Sequence, residues 1–441
     1  MKRKIYENLL TWKNSPFRKP LVLRGARQVG KSYILREFAK NEFLQMIEIN
    51  FELQPEMKSV FGSVEPRKIL KNIELLLNLR IDIDRSILFL DEIQECPEAI
   101  LSLRYFHELI PGFPVIVAGS LLEFVWNQEN FRAPVGRIEY LYLYPMDFEE
   151  YLEAIGEDLP LEYTKEVSPT DLINESVHKK LLSLYKDYLL VGGMPESVKV
   201  FSKTAQFSSV KKIQASLLQT YRDDFAKYGK KSKQRELEKL FARVPVLAGK
   251  KLKYSEIDSE ISSREWKQAI ELLEFAGVIN RITSCTTPQL PLSYYAKENF
   301  FKLFFLDTGL AIKASGLEES IFKSPDLLGV YEGGLAEQFV GQELILLASP
   351  EEKAKLYYWE RSKKGSSAEI DYLLVHNSRV YPIEVKSGAT GSLKSLGMYR
   401  KEYNPPLAIR YSPHNLSFHE GLLSIPLYMI GQTKRLLSLV E

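Results

Sequence analysis

Gly25-Ala26-Arg27-Gln28-Val29-Gly30-Lys31-Ser32 fits the spacing G-x-x-x-x-G-K-[ST] of a phosphate-binding loop. The residue types suit a polyanion. Gly25 and Gly30 let the backbone turn so that successive N–H groups face one anion. Lys31 carries full positive charge toward β- and γ-phosphates, and the Ser32 hydroxyl can ligate Mg²⁺. About 60 residues later, Ile87-Leu88-Phe89-Leu90 runs into Asp91 and Glu92. Asp91 is placed to hold Mg²⁺, directly or through water, and Glu92 to orient and polarise an attacking water. Together these residues predict an ATP–Mg²⁺ site.

Two further residues are candidates at that site. Ser120 closes the apolar run Pro114–Gly119, where a polar side chain can contact the γ-phosphate or the lytic water; capping the next helix is the rival role. Arg137 can reach the γ-phosphate, in cis or from a neighbouring subunit, or can form a surface salt bridge.

A second constellation lies near the C-terminus. Residues 370–375 and 380–386 read as a hairpin around Asn377-Ser378, which sets Asp371 across from Glu384. Facing carboxylates repel, and a divalent cation between them reverses that sign. With Lys386 the pattern is D-(x)₁₂-E-V-K, close to the metal-nuclease signature PD-(D/E)xK, although Ile370 replaces the proline. Glu337, on a preceding helix, is a fourth polar group. In such chemistry the metal and lysine activate water against a phosphodiester. The rival reading is a solvent-facing E-x-K pair on a strand.

These residues need elements to hold them. Pro20–Arg24 reads as a buried strand and Ser32–Lys40 as a helix with one apolar face, the context a phosphate loop requires. Met46–Phe51, the run into Asp91, and Pro114–Gly119 read as further strands of a parallel sheet, apolar on both faces. Helices follow over 149–156 and 175–190, a break at Gly192-Gly193-Met194-Pro195, then a helix from about 205 to 228. Helices over 235–245, 254–261 and 263–276, a strand from Gly277 and a return at Leu292–Ala296 make a winged-helix pattern. Its recognition helix would start at Ser263-Arg264-Glu265-Trp266, facing either a DNA major groove or a protein. The basic run 227–235 lies just before it. Residues 331–348 read as an amphipathic helix with Glu337 and Glu343, and Leu356–Trp359 as a strand.

Composition sets the bounds. The 441 residues are 45% hydrophobic and 26% charged, ordinary for globular domains. Net charge is +2, so any nucleic-acid contact must come from local patches. Two distant cysteines exclude a disulfide framework and fit a reducing cytoplasm. The basic start Met1-Lys2-Arg3-Lys4 lacks a following apolar stretch, so no signal peptide is expected, and no run is long enough to span a bilayer.

The order of the segments GARQVGKS, ILFLDEIQ, VAGS, VGRI, VGGMPE, FAGVI, FFLDTGL, AEIDYLL and PIEVKSG resembles prokaryotic AAA-type ATPases with a C-terminal domain of unknown function and a restriction-endonuclease-like core. The resemblance spans residues 20–390. It implies an α/β chain: a P-loop ATPase core over 1–150, a helical lid over 151–230, a winged helix over 231–300 and a restriction-endonuclease-like α/β domain over 301–441. It implies ATP and Mg²⁺ at Lys31, Ser32, Asp91 and Glu92. Ser32 stands where many members carry threonine, a chemically neutral change, and Leu121 after Ser120 departs from a second serine. Three functions follow as expectations: an ATPase that hydrolyses slowly and controls a DNA-directed C-terminal half; an ATP-gated Mg²⁺-dependent nuclease; or a nucleotide-responsive DNA- or protein-binding regulator with an inactive nuclease fold. A cytoplasmic protein, without membrane contact and open to homo-oligomerisation, fits all three.

Overall fold

The computed structural model describes every residue except 121, 127–133, 135, 229–230, 259–260, 318–333, 362–367 and 389–392. Two sheets organise it. The first contains β1 (Leu21–Arg24), β2 (Gln45–Asn50), β3 (Ser86–Asp91), β4 (Val115–Ala118) and β5 (Glu139–Tyr142), in the order β2-β3-β4-β1-β5. Every neighbouring pair is parallel. All positions of β3 and β4 are buried, as strands covered on both faces must be, which is why their sequences are apolar without alternation. The helix Lys31–Glu42 buries Ile34, Leu35, Phe38 and Ala39. The carboxyl ends of β1, β3 and β4 open on one edge, the usual ligand edge of a parallel sheet.

A helical segment follows: Phe148–Ala154, Glu175–Val191, Pro195–Thr204 and Phe207–Asp223 among others. The helix expected from 205 to 228 is interrupted. Asp224 ends the Phe207–Asp223 helix and reaches Arg27 at 3.1 Å, and a short turn of helix covers Phe225–Tyr228.

The second sheet contains β6 (Ile279–Cys285), β7 (Ala296–Phe305), β8 (Leu356–Glu360), β9 (Glu369–His376), β10 (Arg379–Val385), β11 (Ala408–Ser412), β12 (Ser417–His419) and β13 (Leu422–Pro426). Its order is β12-β13-β11-β10-β9-β8-β6-β7. β6 pairs antiparallel with β7 and parallel with β8, so the hairpin after the helices Lys231–Leu247, Tyr254–Ile257 and Ser263–Phe275 is continuous with the C-terminal sheet. The boundary expected at residue 300 falls inside β7. The return strand expected at Leu292–Ala296 starts later. Pro288 and Pro291 lack the N–H a ladder needs, and Leu292–Tyr295 forms a 3₁₀ turn before β7 begins.

The helix Gly334–Leu347 departs from its amphipathic reading. Gly334 through Ala336 and Gln338 through Ile345 are all buried. Its polar residues serve other backbones. Gln338 accepts from Phe305 N–H at 2.7 Å, Gln342 from Thr308 N–H at 2.9 Å and Glu343 from Phe148 N–H at 3.1 Å. Residues 331–333 of that expected helix, and parts of the basic run, lie outside the described residues. One apolar core joins Tyr185 and Tyr188 of the helical segment to Phe339, Tyr372 and Ile409 of the C-terminal unit.

Candidate functional site

The loop between β1 and the helix Lys31–Glu42 is shaped by close approach. Gly25 has φ +146°, and a Cβ there would lie 2.1 Å from the Leu143 carbonyl oxygen. Only glycine fits. Gly30 caps the helix with φ +96°. The loop is clamped from outside: Arg3 Nη1 donates to Val29 O at 2.9 Å, and Tyr221 O–H to Arg27 O at 2.7 Å.

Lys31 is buried and turns into the loop, donating to the carbonyl oxygens of Gly25 at 2.8 Å and Ala26 at 2.7 Å. Burial lowers its pKa to about 8, despite Glu92 and Asp91 nearby. An incoming polyphosphate would oppose that shift by supplying negative charge. The Ser32 hydroxyl donates to Asp91 Oδ1 at 3.0 Å, so the two oxygens chosen for Mg²⁺ are adjacent and the residues fit the ion. Burial pushes the Asp91 carboxyl up, with Ser32 opposing.

Glu92 follows Asp91 in a left-handed conformation, φ 49°, outside the strand. Gln94 Nε2 donates to Glu92 Oε2 at 2.6 Å, and the Ser120 hydroxyl approaches the same oxygen at 3.5 Å. Arg27 completes the set: Nε donates to Ser120 Oγ at 3.2 Å and Nη1 meets Asp224 Oδ1 at 3.1 Å. Lys31, Ser32, Asp91, Glu92 and Ser120 therefore meet at one sheet edge.

Arg137 is not among them. β5 runs parallel to β1, with Leu21 level with Glu139 and Arg24 level with Tyr142. Arg137 precedes β5, at the amino end of the sheet, while the loop leaves β1 at the carboxyl end. It is exposed and its Nε pairs with Glu108 Oε1 at 2.8 Å. Within the chain it is a surface ion pair.

Sequence reasoning missed Asn50, Gln94 and the pairing of Arg27 with Ser120 and Asp224. Asn50 Nδ2 donates to Asp91 Oδ2 at 3.2 Å, and a polar residue ending a strand beside β3 was a readable signal. A small open cleft of about 50 Å³ borders the loop, lined by Gly25, Ala26 and Ser120 on one side and by Phe275, Gly277 and Leu306 on the other.

The C-terminal constellation also assembles, in altered form. The antiparallel register pairing Ile383 with Tyr372 sets Asp371 level with Glu384, as the hairpin symmetry requires. Asp371 Oδ2 accepts from Val385 N–H at 2.7 Å, and Lys386 Nζ pairs with Glu384 Oε1 at 2.5 Å. Burial raises the Glu384 pKa to about 7, with Asp371 adding to the effect. The expected metal position is held differently. Lys302 of β7, 1% exposed, reaches Glu369 Oε1 at 2.5 Å, Glu337 Oε2 at 2.8 Å and Asp371 Oδ1 at 3.7 Å. Burial works against its charge, but Glu337, Asp371 and Glu369 outweigh it and hold the ammonium well above the ordinary lysine pKa. Burial pushes Glu337 up as well. Among the described residues no cluster of three or more His, Cys, Asp or Glu is arranged to hold a metal ion. Lys302 and Glu369 were not foreseen, though a lysine inside the apolar run Phe300–Phe305 is a signal in itself.

Residues 17–152 match the family model of an AAA domain. Residues 182–321 match one domain of unknown function (DUF8612) and residues 332–430 another (DUF4143). Solved structures similar to this chain include the Walker-type ATPase PABY2304 of Pyrococcus abyssi, 16% identical with TM-score 0.43, covering 71% of this chain and 95% of that one. The RuvB Holliday junction branch migration motor of Thermotoga maritima is 16% identical with TM-score 0.30, covering 65% and 90%. The ORC2 protein of Aeropyrum pernix is 12% identical with TM-score 0.26, covering 73% and 93%. No curated protein matches. Among the described residues no helix is long and apolar enough to cross a membrane.

Proposed function

Taking residues 17–152 as the AAA-type P-loop ATPase domain they form, we propose that the protein binds ATP with Mg²⁺, hydrolyses it slowly, and uses the nucleotide state to control a DNA-directed C-terminal half. Ser32 and Asp91 would hold the ion, Lys31 and the loop N–H groups the phosphates, and Glu92 the attacking water. Bound Mg²⁺ would neutralise charge developing on the phosphates. Gln94 and Ser120 orient Glu92.

The observation carrying this reading is Arg27. One side chain inside the phosphate loop joins Ser120 in the ATPase core to Asp224 beyond the helix Phe207–Asp223. A loop rearranged by γ-phosphate therefore pulls on downstream structure directly. The DNA direction is supported by the helix Ser263–Phe275, whose Arg264 and Lys267 are exposed near its capped start at Ser262. The AAA core over 1–150, lid over 151–230, winged helix over 231–300 and nuclease-like unit over 301–441 are the working division, with β6 and β7 shared across the last boundary.

The test is steady-state turnover together with nucleotide affinity. Lys31→Ala should lose ATP binding; Glu92→Gln should keep affinity and lose turnover by about 100-fold or more. A Glu92→Gln protein hydrolysing at the parent rate removes the assigned base. For the second half, ATP should change duplex-DNA affinity and Arg264→Ala should weaken it; no binding at low salt with any nucleotide refutes the DNA direction.

A further inference from the structure

The carboxylates of Glu337, Glu369 and Asp371 converge from a helix and from β9, and Lys302 enters their midst from β7. Its Nζ stands over the ring of Tyr358, 5.4 Å from the ring centroid. An ammonium has three hydrogens to donate, and three carboxylates stand at 2.5, 2.8 and 3.7 Å. A charge this deeply buried persists only when paired, and here every partner is anionic. Lys251 Nζ also meets Glu369, Oε2 at 3.0 Å, on the outer side. Beside the cluster, Glu384, 5% exposed, has an Oε2 without a hydrogen-bond partner.

A divalent ion at the same place would need several of these oxygens at about 2.0–2.6 Å. It would then stand against the Lys302 ammonium, held by the same oxygens. Coulomb repulsion and the shared ligands make the two cations alternatives.

We propose that the Lys302 ammonium is the resident cation of the Glu337–Glu369–Asp371 centre, filling the position of a divalent metal, so that this centre takes a metal only when the ammonium is withdrawn. The inference rests on the C-terminal centre alone and holds whether or not the ATPase domain drives DNA binding. Its consequence is that the native chain holds no divalent ion on Glu337, Glu369 and Asp371. Removing Lys302 leaves three partly buried carboxylates short of a counter-charge, the condition under which they recruit an ion from solution.

The experiment is Mn²⁺ titration of the full chain without nucleotide, read by electron paramagnetic resonance and by calorimetry. The parent chain should show no Mn²⁺ binding that depends on Asp371, whereas Lys302→Met should gain a site at least about 100-fold tighter than any the parent has there. Adding Asp371→Asn to Lys302→Met should abolish the gain; Asp91→Asn should not. Lys302→Arg, which keeps the charge, should gain nothing, and Lys302→Ala replaces the methionine variant if that one fails to fold. Parent-chain Mn²⁺ binding that Asp371→Asn removes overturns the proposal. So does a folded Lys302→Met or Lys302→Ala chain that takes up no ion. ATP turnover measured on the same samples separates this outcome from the fate of the ATPase assignment.

Discussion

The Gly193 N–H donates to Asp307 Oδ2 at 2.6 Å, joining segments 114 residues apart. Asp307 is fully buried and caps the helix Thr308–Ser315 through Leu310 N–H at 2.9 Å. Burial raises its pKa to about 6, although backbone N–H groups of Gly193, Leu310 and Gly309 pull it down. The folded chain thus binds this proton more tightly than the unfolded chain, whose value is near 3.8. The resulting stabilisation is complete below the lower value and is lost as pH rises through the upper one. Urea unfolding of the parent and Asp307→Asn at pH 4.5 and 7.5 should show the parent losing about 2 kcal/mol relative to the variant. A difference independent of pH would mean that Asp307 is ionised throughout.

Gly193 is also fixed by space. A Cβ there would lie 2.0 Å from the Met146 carbonyl oxygen and 2.9 Å from Met146 N. Both are backbone atoms, and Met146 N–H itself donates to Gly193 O at 2.7 Å. Neither side can yield without breaking that pairing. Gly193→Ala should cost about 3 kcal/mol or more, read as a lowered urea midpoint, while Ala205→Gly on an exposed helix end should change little. An alanine variant as stable as the parent would show that the two segments separate readily.

What was legible in the sequence was local. The phosphate loop declares itself because backbone turn, lysine and hydroxyl all lie within eight consecutive residues. The Asp371–Glu384 register was readable because hairpin pairing depends only on the turn between. The filling of the C-terminal centre was not readable. Lys302 stands on β7, separated from Glu369 and Asp371 on β9 by β8 and β6, and a parallel pairing between β6 and β8 closes that distance. The choice between Arg137's two roles stayed open in the sequence for a directional reason: spacing along the chain does not reveal which end of a parallel sheet a residue occupies, and here it forms the surface salt bridge. The helix Gly334–Leu347 misled because Gln338, Gln342 and Glu343 look like a solvent face. They bind buried backbone groups instead.

Arg137→Ala tests that directional argument. The side chain is exposed and pairs with Glu108, which also meets Arg104 at 3.0 Å. Pairs of this kind contribute about 0–1 kcal/mol. Stability should therefore change by less than about 1 kcal/mol, and turnover at low protein concentration should stay within about twofold of the parent. A loss of turnover by tenfold or more at high protein concentration that shrinks as the protein is diluted would point to Arg137 acting across subunits.

Arg27→Lys probes the loop's tie to the rest of the site. The guanidinium reaches Ser120 Oγ and Asp224 Oδ1 at once, from two different nitrogens. A lysine keeps the charge but presents a single point, so it can serve one partner only. If it stays with buried Asp224, the Ser120 hydroxyl loses the donor that holds it beside Glu92. The carboxylate proposed to orient water then depends on Gln94 alone. The phosphate contacts proposed for Lys31 and the loop N–H groups would be untouched by this change. Turnover should therefore fall by about tenfold or more while the ATP dissociation constant moves by less than about threefold, a split that separates positioning from binding. Equal losses in both would place Arg27 on the nucleotide itself, and no loss in either would leave the Arg27–Ser120 contact without a part in hydrolysis.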